Sequence, residues 1–191
     1  MTNGLEQMNQ KRAEILSSLR SNKISGKKCA QMLSAAMDTF LKNLADSVFH
    51  TPHLSAVLAL GGYGRKELCP HSDIDLLFLV QENLTKDEEK NIETFLYTIW
   101  DSGIKIGHSV RTPRECIEIS QQDPKAMSNL LDARLIWGDD SFFEGMMNGL
   151  KDNWAKKTRH GFTEAKLEER DNRHRRLGDT RYVLEPNIKE G

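Results

Sequence analysis

The sequence predicts an α/β (α+β) fold with a small sheet, an N-terminal helix and a helical C-terminal half. Three observations carry the prediction. Apolar residues recur at helical spacing after Ser25. Two short apolar runs, 55–60 and 73–80, flank a glycine-rich insert and have the length of strands. From Thr85 onward, capping signals open one helix after another. A hydrophobic content of 38% with 29% charged residues suits a polar globular chain, and a net charge of −1 gives no basic field for nucleic acid. Three separated cysteines exclude a disulfide framework and a CxxC zinc pair. No apolar run approaches the ~20 residues that span a bilayer, and the N-terminus lacks a signal-peptide core. A cytoplasmic location with no membrane or nucleic-acid partner is the expectation.

In order, residues 1–24 form a polar segment, a frayed helix with a loop at Ser21-Asn22. A long helix follows from Ser25, with Leu33, Met37, Phe40, Leu44 and Val48 on one face, Asp38, Lys42 and Asp46 on the other, and a stop at His50-Thr51-Pro52. The run 55–60 reads as a strand broken by Gly61, Gly62 and Gly64. A second strand runs from Asp73 to Val80; Asp73, Asp75, Leu77 and Leu79 share one face and Ile74, Leu76, Phe78 and Val80 the other. Apolar residues on both faces predict a central, doubly covered strand. Thr85 to Glu88 is a capping box for a helix burying Ile92, Phe95, Leu96, Ile99 and Trp100. Residues 104–111 read as a third strand, and Thr112-Pro113 as a helix start. Asp123-Pro124 starts a helix carrying Leu130, Leu131 and Leu135 to a stop at Gly138; Asp140 caps another with Phe142, Phe143, Met146, Met147 and Leu150. Residues 25–150 thus make one domain. Residues 151–191 begin as a basic, exposed helix, with nine Lys/Arg against five Asp/Glu in 151–176.

Chemistry concentrates in 56–80. Asp73 and Asp75, two residues apart on a strand, project from one face about 6–7 Å apart and suit a divalent cation, most simply Mg2+. Two like charges entering a strand covered on both faces are costly without a cation or donors. Gly61 and Gly62 bring bare backbone close to a ligand. The pattern is neither a dinucleotide fingerprint, since Glu67 stands where a third glycine belongs, nor a Walker A loop, which needs GK[ST]. Arg65 and Lys66 can meet triphosphate oxygens; their alternatives are an ion pair with Glu67 or solvent. Ser72 caps or hydrogen-bonds locally and borders the nucleotide. Cys69 with His71 lacks a second pair for zinc, His108 reads as a packed core residue, and the arginines of 170–176 as a solvated face.

The constellation GGYGRKELCPHSDIDLLFLV resembles the nucleotidyltransferase domain of bacterial PII uridylyltransferases (the GlnD family), within the polymerase-β-like superfamily and its glycine pair followed by DxD. WDSGIKIGHSVRT (100–112), NLLDARLIWGD (129–139), RHRR (173–176) and LEPNIKEG (184–191) are similar to that family in the same order. The resemblance implies the small mixed sheet of the nucleotidyltransferase fold and transfer of UMP from UTP to a tyrosine hydroxyl of a PII-type signalling protein. It implies Asp73 and Asp75 as metal-holding catalytic carboxylates, and Gly61 and Gly62 at the nucleotide. The superfamily's third carboxylate is not assigned to a residue here; Ser109 stands near its expected place. No His-Asp dipeptide occurs, so removal of UMP is not expected of this chain, nor is ACT-domain sensing. The closing family motif normally runs past Gly191, so the chain reads as a fragment. A non-catalytic nucleotide- or protein-binding domain, and a transferase of the same fold with another acceptor, remain alternatives.

Overall fold

The computed structural model describes residues 2–49, 55–153 and 159–176. In order these form α1 (Thr2–Arg20), α2 (Gly26–Val48), β1 (Ser55–Ala59), α3 (Gly61–Gly64), β2 (Ile74–Val80), α4 (Lys86–Asp101), β3 (Ile106–Arg111), α5 (Pro113–Gln122), α6 (Pro124–Leu131), β4 (Arg134–Gly138), α7 (Asp140–Asn153) and α8 (Arg159–Arg176). The sheet runs β3-β2-β1-β4. β1 is antiparallel to both neighbours, whereas β2 and β3 are parallel. A parallel pair needs a crossover, and α4 supplies it. The expected mixed α/β architecture is what the chain adopts.

Strand alternation divides the core. Ile74, Leu76, Phe78 and Val80 of β2 join α1, α2 and α4 in one cluster. Leu77 and Leu79 join Leu58 of β1 and residues of α5, α6 and α7 in the other. β2 is therefore covered on both faces, as its apolar run predicts. The predicted buried face of α2 is buried throughout, from Leu33 to Val48. α1 is a full helix rather than a frayed one; Met8 and Ile15 are buried against the first cluster. The predicted capping box forms at Thr85, and the predicted helix start at Thr112 is also a capping box, closed by Glu115.

The structure corrects several expectations. Residues 134–138, read as the end of a helix stopping at Gly138, form β4, paired with β1. A short apolar run is ambiguous between helix and strand, and the open edge of β1 resolves it. Leu131, expected inward, is 42% exposed at the end of α6. Trp100 is 45% exposed and meets His108 edge-on at 5.7 Å. His108 is itself exposed, not a core residue, because β3 is the sheet's edge. The cap of α7 is Asp139, whose Oδ1 accepts from the N–H groups of Ser141 and Phe142 at 2.8 and 3.2 Å, one residue before the predicted Asp140. α2 ends at Val48, with the Phe49 N–H donating to Ala45 O; the predicted stop at 50–52 lies outside the described residues, as does 177–191.

Asp38 and Asp46, placed by periodicity on the outer face of α2, take partners across the fold. Asp46 accepts from Trp137 Nε1 at 2.7 Å. Asp38 accepts from Tyr63 Oη at 2.6 Å and from both terminal nitrogens of Arg134 at 2.8 and 3.0 Å. Arg134 also donates to the carbonyls of Gly64 and Tyr63 at 3.1 and 3.2 Å. This network fastens α3 to α2 and β4. Gly64 is required here by close approach: a Cβ on it would stand 2.1 Å from the Asp132 carbonyl oxygen.

Candidate active site

The antiparallel register of β1 and β2 brings the glycine turn to the aspartates. Leu58 pairs with Leu77 and Ala59 with Leu76. The Leu60 N–H, one residue on, donates to the Asp75 carbonyl at 2.9 Å. The chain then turns at Gly61, whose φ of 53° lies in the left-handed region that glycine enters without steric cost. The expected loop is a single helical turn, α3. Gly61 therefore sits beside Asp75.

Two absent side chains shape the space around the Asp75 carboxylate. A Cβ on Gly61 would lie 3.9 Å from Asp75 Oδ2 and 3.6 Å from Asn129 Oδ1. A Cβ on Gly107, which pairs with Asp75 across the parallel β2–β3 ladder, would lie 2.4 Å from Asp75 Oδ1. The carboxylate thus lies between two glycines, with Asn129 of α6 beside Gly61. Parity explains why α6 is there: Asp75 shares its face with Leu77 and Leu79, the face packed against Met127 and Leu130 of α6. Asn129 lies between those two anchors.

Asp73 immediately precedes β2, and both Asp73 and Asp75 are exposed. Burial therefore does not make the pair costly without a cation, although β2 is a doubly covered strand. The cover thins at Asp75 because glycines stand where side chains would close over it. Hard carboxylate oxygens in an accessible cradle suit Mg2+, which commonly takes one or two protein carboxylates and completes its shell with phosphates and water. Among the described residues no group of three or more His, Cys, Asp or Glu side chains is placed to share a metal.

The other predicted residues spread along the insert. Gly62 follows Gly61 in α3; a Cβ on it would be 3.8 Å from an Arg65 guanidinium nitrogen. Arg65 donates from Nε to Glu67 at 2.9 Å and also pairs with Asp132. These hydrogen bonds, Glu67's first, raise its pKa further. Lys66 is exposed, with φ of 61°. Ser72 is exposed and its N–H donates to the Cys69 carbonyl at 3.1 Å. It borders a cavity of about 250 Å3 walled also by Arg12, Leu68 and Lys105. Gly61, Gly62 and Asp75 do not line that cavity.

Sequence reasoning missed Gly107, Asn129 and the Asp38–Tyr63–Arg134 network. Gly107 carried a signal, since an isolated glycine in a strand marks close approach. Arg134 stood out as a charge beside an apolar run. Asn129 opens the family-like segment 129–139, but nothing in that segment singles out its amide.

Residues 10–109, just over half the chain, match the family model described as "Putative nucleotidyltransferase DUF294". The chain belongs to this nucleotidyltransferase family. Residues 161–191 match the model described as GlnD PII-uridylyltransferase. The bifunctional uridylyltransferase/uridylyl-removing enzymes of Azospirillum brasilense and Rhodospirillum rubrum are each 40% identical to it. The matches cover 96% and 94% of the chain and 21% and 20% of those proteins. The enzyme of the same description from Novosphingobium aromaticivorans is 36% identical over 94% of the chain and 21% of its own length. The nucleotidyltransferase chain thus spans about a fifth of the length of the curated relatives it matches. The likeness to GlnD proteins read from five ordered segments is borne out. Solved structures with a resemblance include a toxin–antitoxin with AMP-PNP (15% identity, 65% of this chain and 94% of that one, TM-score 0.37). Another is a tri-AMPylated HEPN toxin with MNT antitoxin from Shewanella oneidensis (11% identity, 68% and 98%, TM-score 0.37). Likeness at that score carries no argument about function. No helix among the described residues is long and apolar enough to cross a membrane.

Proposed function

We propose that this domain, centred on residues 25–150, transfers UMP from UTP to a tyrosine hydroxyl of a PII-type signalling protein in the cytoplasm and releases pyrophosphate. The observation that carries the reading is the juxtaposition of Gly61 with the Asp75 carboxylate; identity to uridylyltransferases along nearly the whole chain supports it. Asp73 and Asp75 would hold Mg2+, which when bound neutralises triphosphate charge and favours loss of the acceptor's proton. Gly61 and Gly62 leave the backbone bare where the triphosphate approaches. Lys66 is exposed and offers a cation, whereas Arg65 must exchange its Glu67 and Asp132 partners to reach a phosphate. In the transfer, the tyrosine oxygen bonds to the α-phosphorus in line with the departing bridge oxygen. The α–β phosphoanhydride bond breaks, pyrophosphate leaves, and the phenolic proton passes to water. The protein's part is to fix these groups so that little reorganisation accompanies reaction.

The test incubates the 191-residue chain with Mg2+, each labelled nucleoside triphosphate and a PII protein. The expected result is label transferred from UTP and abolished in Asp73→Asn and Asp75→Asn. Transfer from another nucleotide, or to another acceptor, would replace the assigned substrates. UTP binding without transfer would make the chain a binding domain.

A further inference from the structure

The cradle around Asp75 has a third polar wall, supplied by Asn129. Asn129 Oδ1 and Asp75 Oδ2 both lie within 4 Å of the point a Gly61 Cβ would occupy. One comes from α6 and the other from β2, so their convergence is tertiary. Three features hold Asn129 there. Met127 and Leu130 are 1% and 4% exposed and anchor α6 to the sheet. Arg65 of the glycine insert pairs with Asp132, just past the end of α6. The Asp132 carbonyl presses against Gly64 so closely that no side chain fits. Yet Asn129 itself is exposed, so the amide is held on a fixed helix and left accessible. A neutral amide oxygen is a hard donor of the kind magnesium accepts beside carboxylates, and the two acidic residues leave most of an octahedral shell to other ligands.

We propose that Asn129 is a ligand of the nucleotide–cation complex at this site, its side-chain oxygen serving as the third protein donor beside Asp73 and Asp75. The proposal rests on the reading of Asp73 and Asp75 as the cation site and adds a residue to it. The amide fits a site that must also accept a triphosphate, because it supplies an oxygen without adding a third negative charge.

The test measures Mn2+ binding by electron paramagnetic resonance, with a UTP analogue whose α–β linkage cannot be cleaved. It uses the 191-residue chain and its Asn129→Ala, Asn129→Asp and Asp75→Asn variants, each shown to be folded by circular dichroism. Asn129→Ala should weaken Mn2+ binding about tenfold, the low end for losing a group at a metal site. Asn129→Asp, which keeps an oxygen, should retain or tighten it. Unchanged affinity in Asn129→Ala while Asp75→Asn loses it would overturn the role of Asn129 and leave the cation site standing. Loss in Asn129→Asp equal to that in Asn129→Ala would mean that the amide acts through its N–H, which also overturns the proposal. No Mn2+ binding by the unaltered chain, or none lost in Asp75→Asn, would refute the cation site and the proposal together.

Discussion

Gly107→Ala offers a sharp separation of site geometry from stability. The added Cβ would stand 2.4 Å from Asp75 Oδ1, whereas ordinary contact begins near 3.4 Å. The carboxylate must withdraw by about 1 Å, and a displacement of that size at a reacting centre costs about 100-fold in rate, or about 2.7 kcal/mol of barrier. The fold has no comparable reason to suffer. Gly107 is not among the positive-φ glycines, the clash is with a side chain that faces solvent, and alanine restricts the unfolded chain more than glycine by about 0.5–1 kcal/mol. Transfer of label from UTP should therefore fall about 100-fold while the unfolding free energy from urea titration stays within about 1 kcal/mol of the parent. Full turnover in a folded Gly107→Ala variant would refute the assignment of catalytic geometry to the Asp75 carboxylate. A matching loss of stability and activity would show instead that Gly107 serves the sheet.

Two further perturbations address the frame around the site. Arg134 and Asp38 have side chains 21% and 18% exposed, so removing the guanidinium takes the countercharge from a half-buried carboxylate and a donor from two carbonyls. Arg134→Ala should cost about 3 kcal/mol, and a double-mutant cycle with Asp38→Ala in urea should show coupling of about 2 kcal/mol; coupling below about 0.5 kcal/mol would reduce the pair to a surface contact. Burial pushes the Cys116 thiol up from 9.0 to about 11, and burial beside Asp38 raises Tyr63 as well. The unfolded groups then ionise first, so stability falls as pH rises from about 9 to about 11. Urea midpoints at pH 8 and 10.5 check the slope, which should lessen in Cys116→Ala; at pH 8 a thiol reagent should label exposed Cys69 and spare Cys116 until unfolding.

Much was legible in the sequence for local reasons. The capping boxes at Thr85 and Thr112 involve residues three apart, and the buried face of α2 repeats along one helix. The alternation in β2 sorts its side chains by parity before any partner strand is known. The glycine pair and the aspartates flank one hairpin, so their proximity follows from antiparallel pairing alone. What the sequence misjudged depends on distant partners. Residues 134–138 become a strand because β1 has an open edge, and Trp100 and His108 are exposed because β3 is an edge.

The sequence by itself determined the class of fold, the covered strand β2, and the nearness of the glycine turn to the aspartates, since each follows from short-range periodicity or from two strands joined along one stretch. Only the tertiary structure decided how that carboxylate is housed. Gly107 arrives by a parallel crossover through α4, Asn129 by the packing of α6, and Arg134 by the pairing of β4 with β1. No spacing along the chain records which residues will meet when separate elements bury their apolar faces on one sheet.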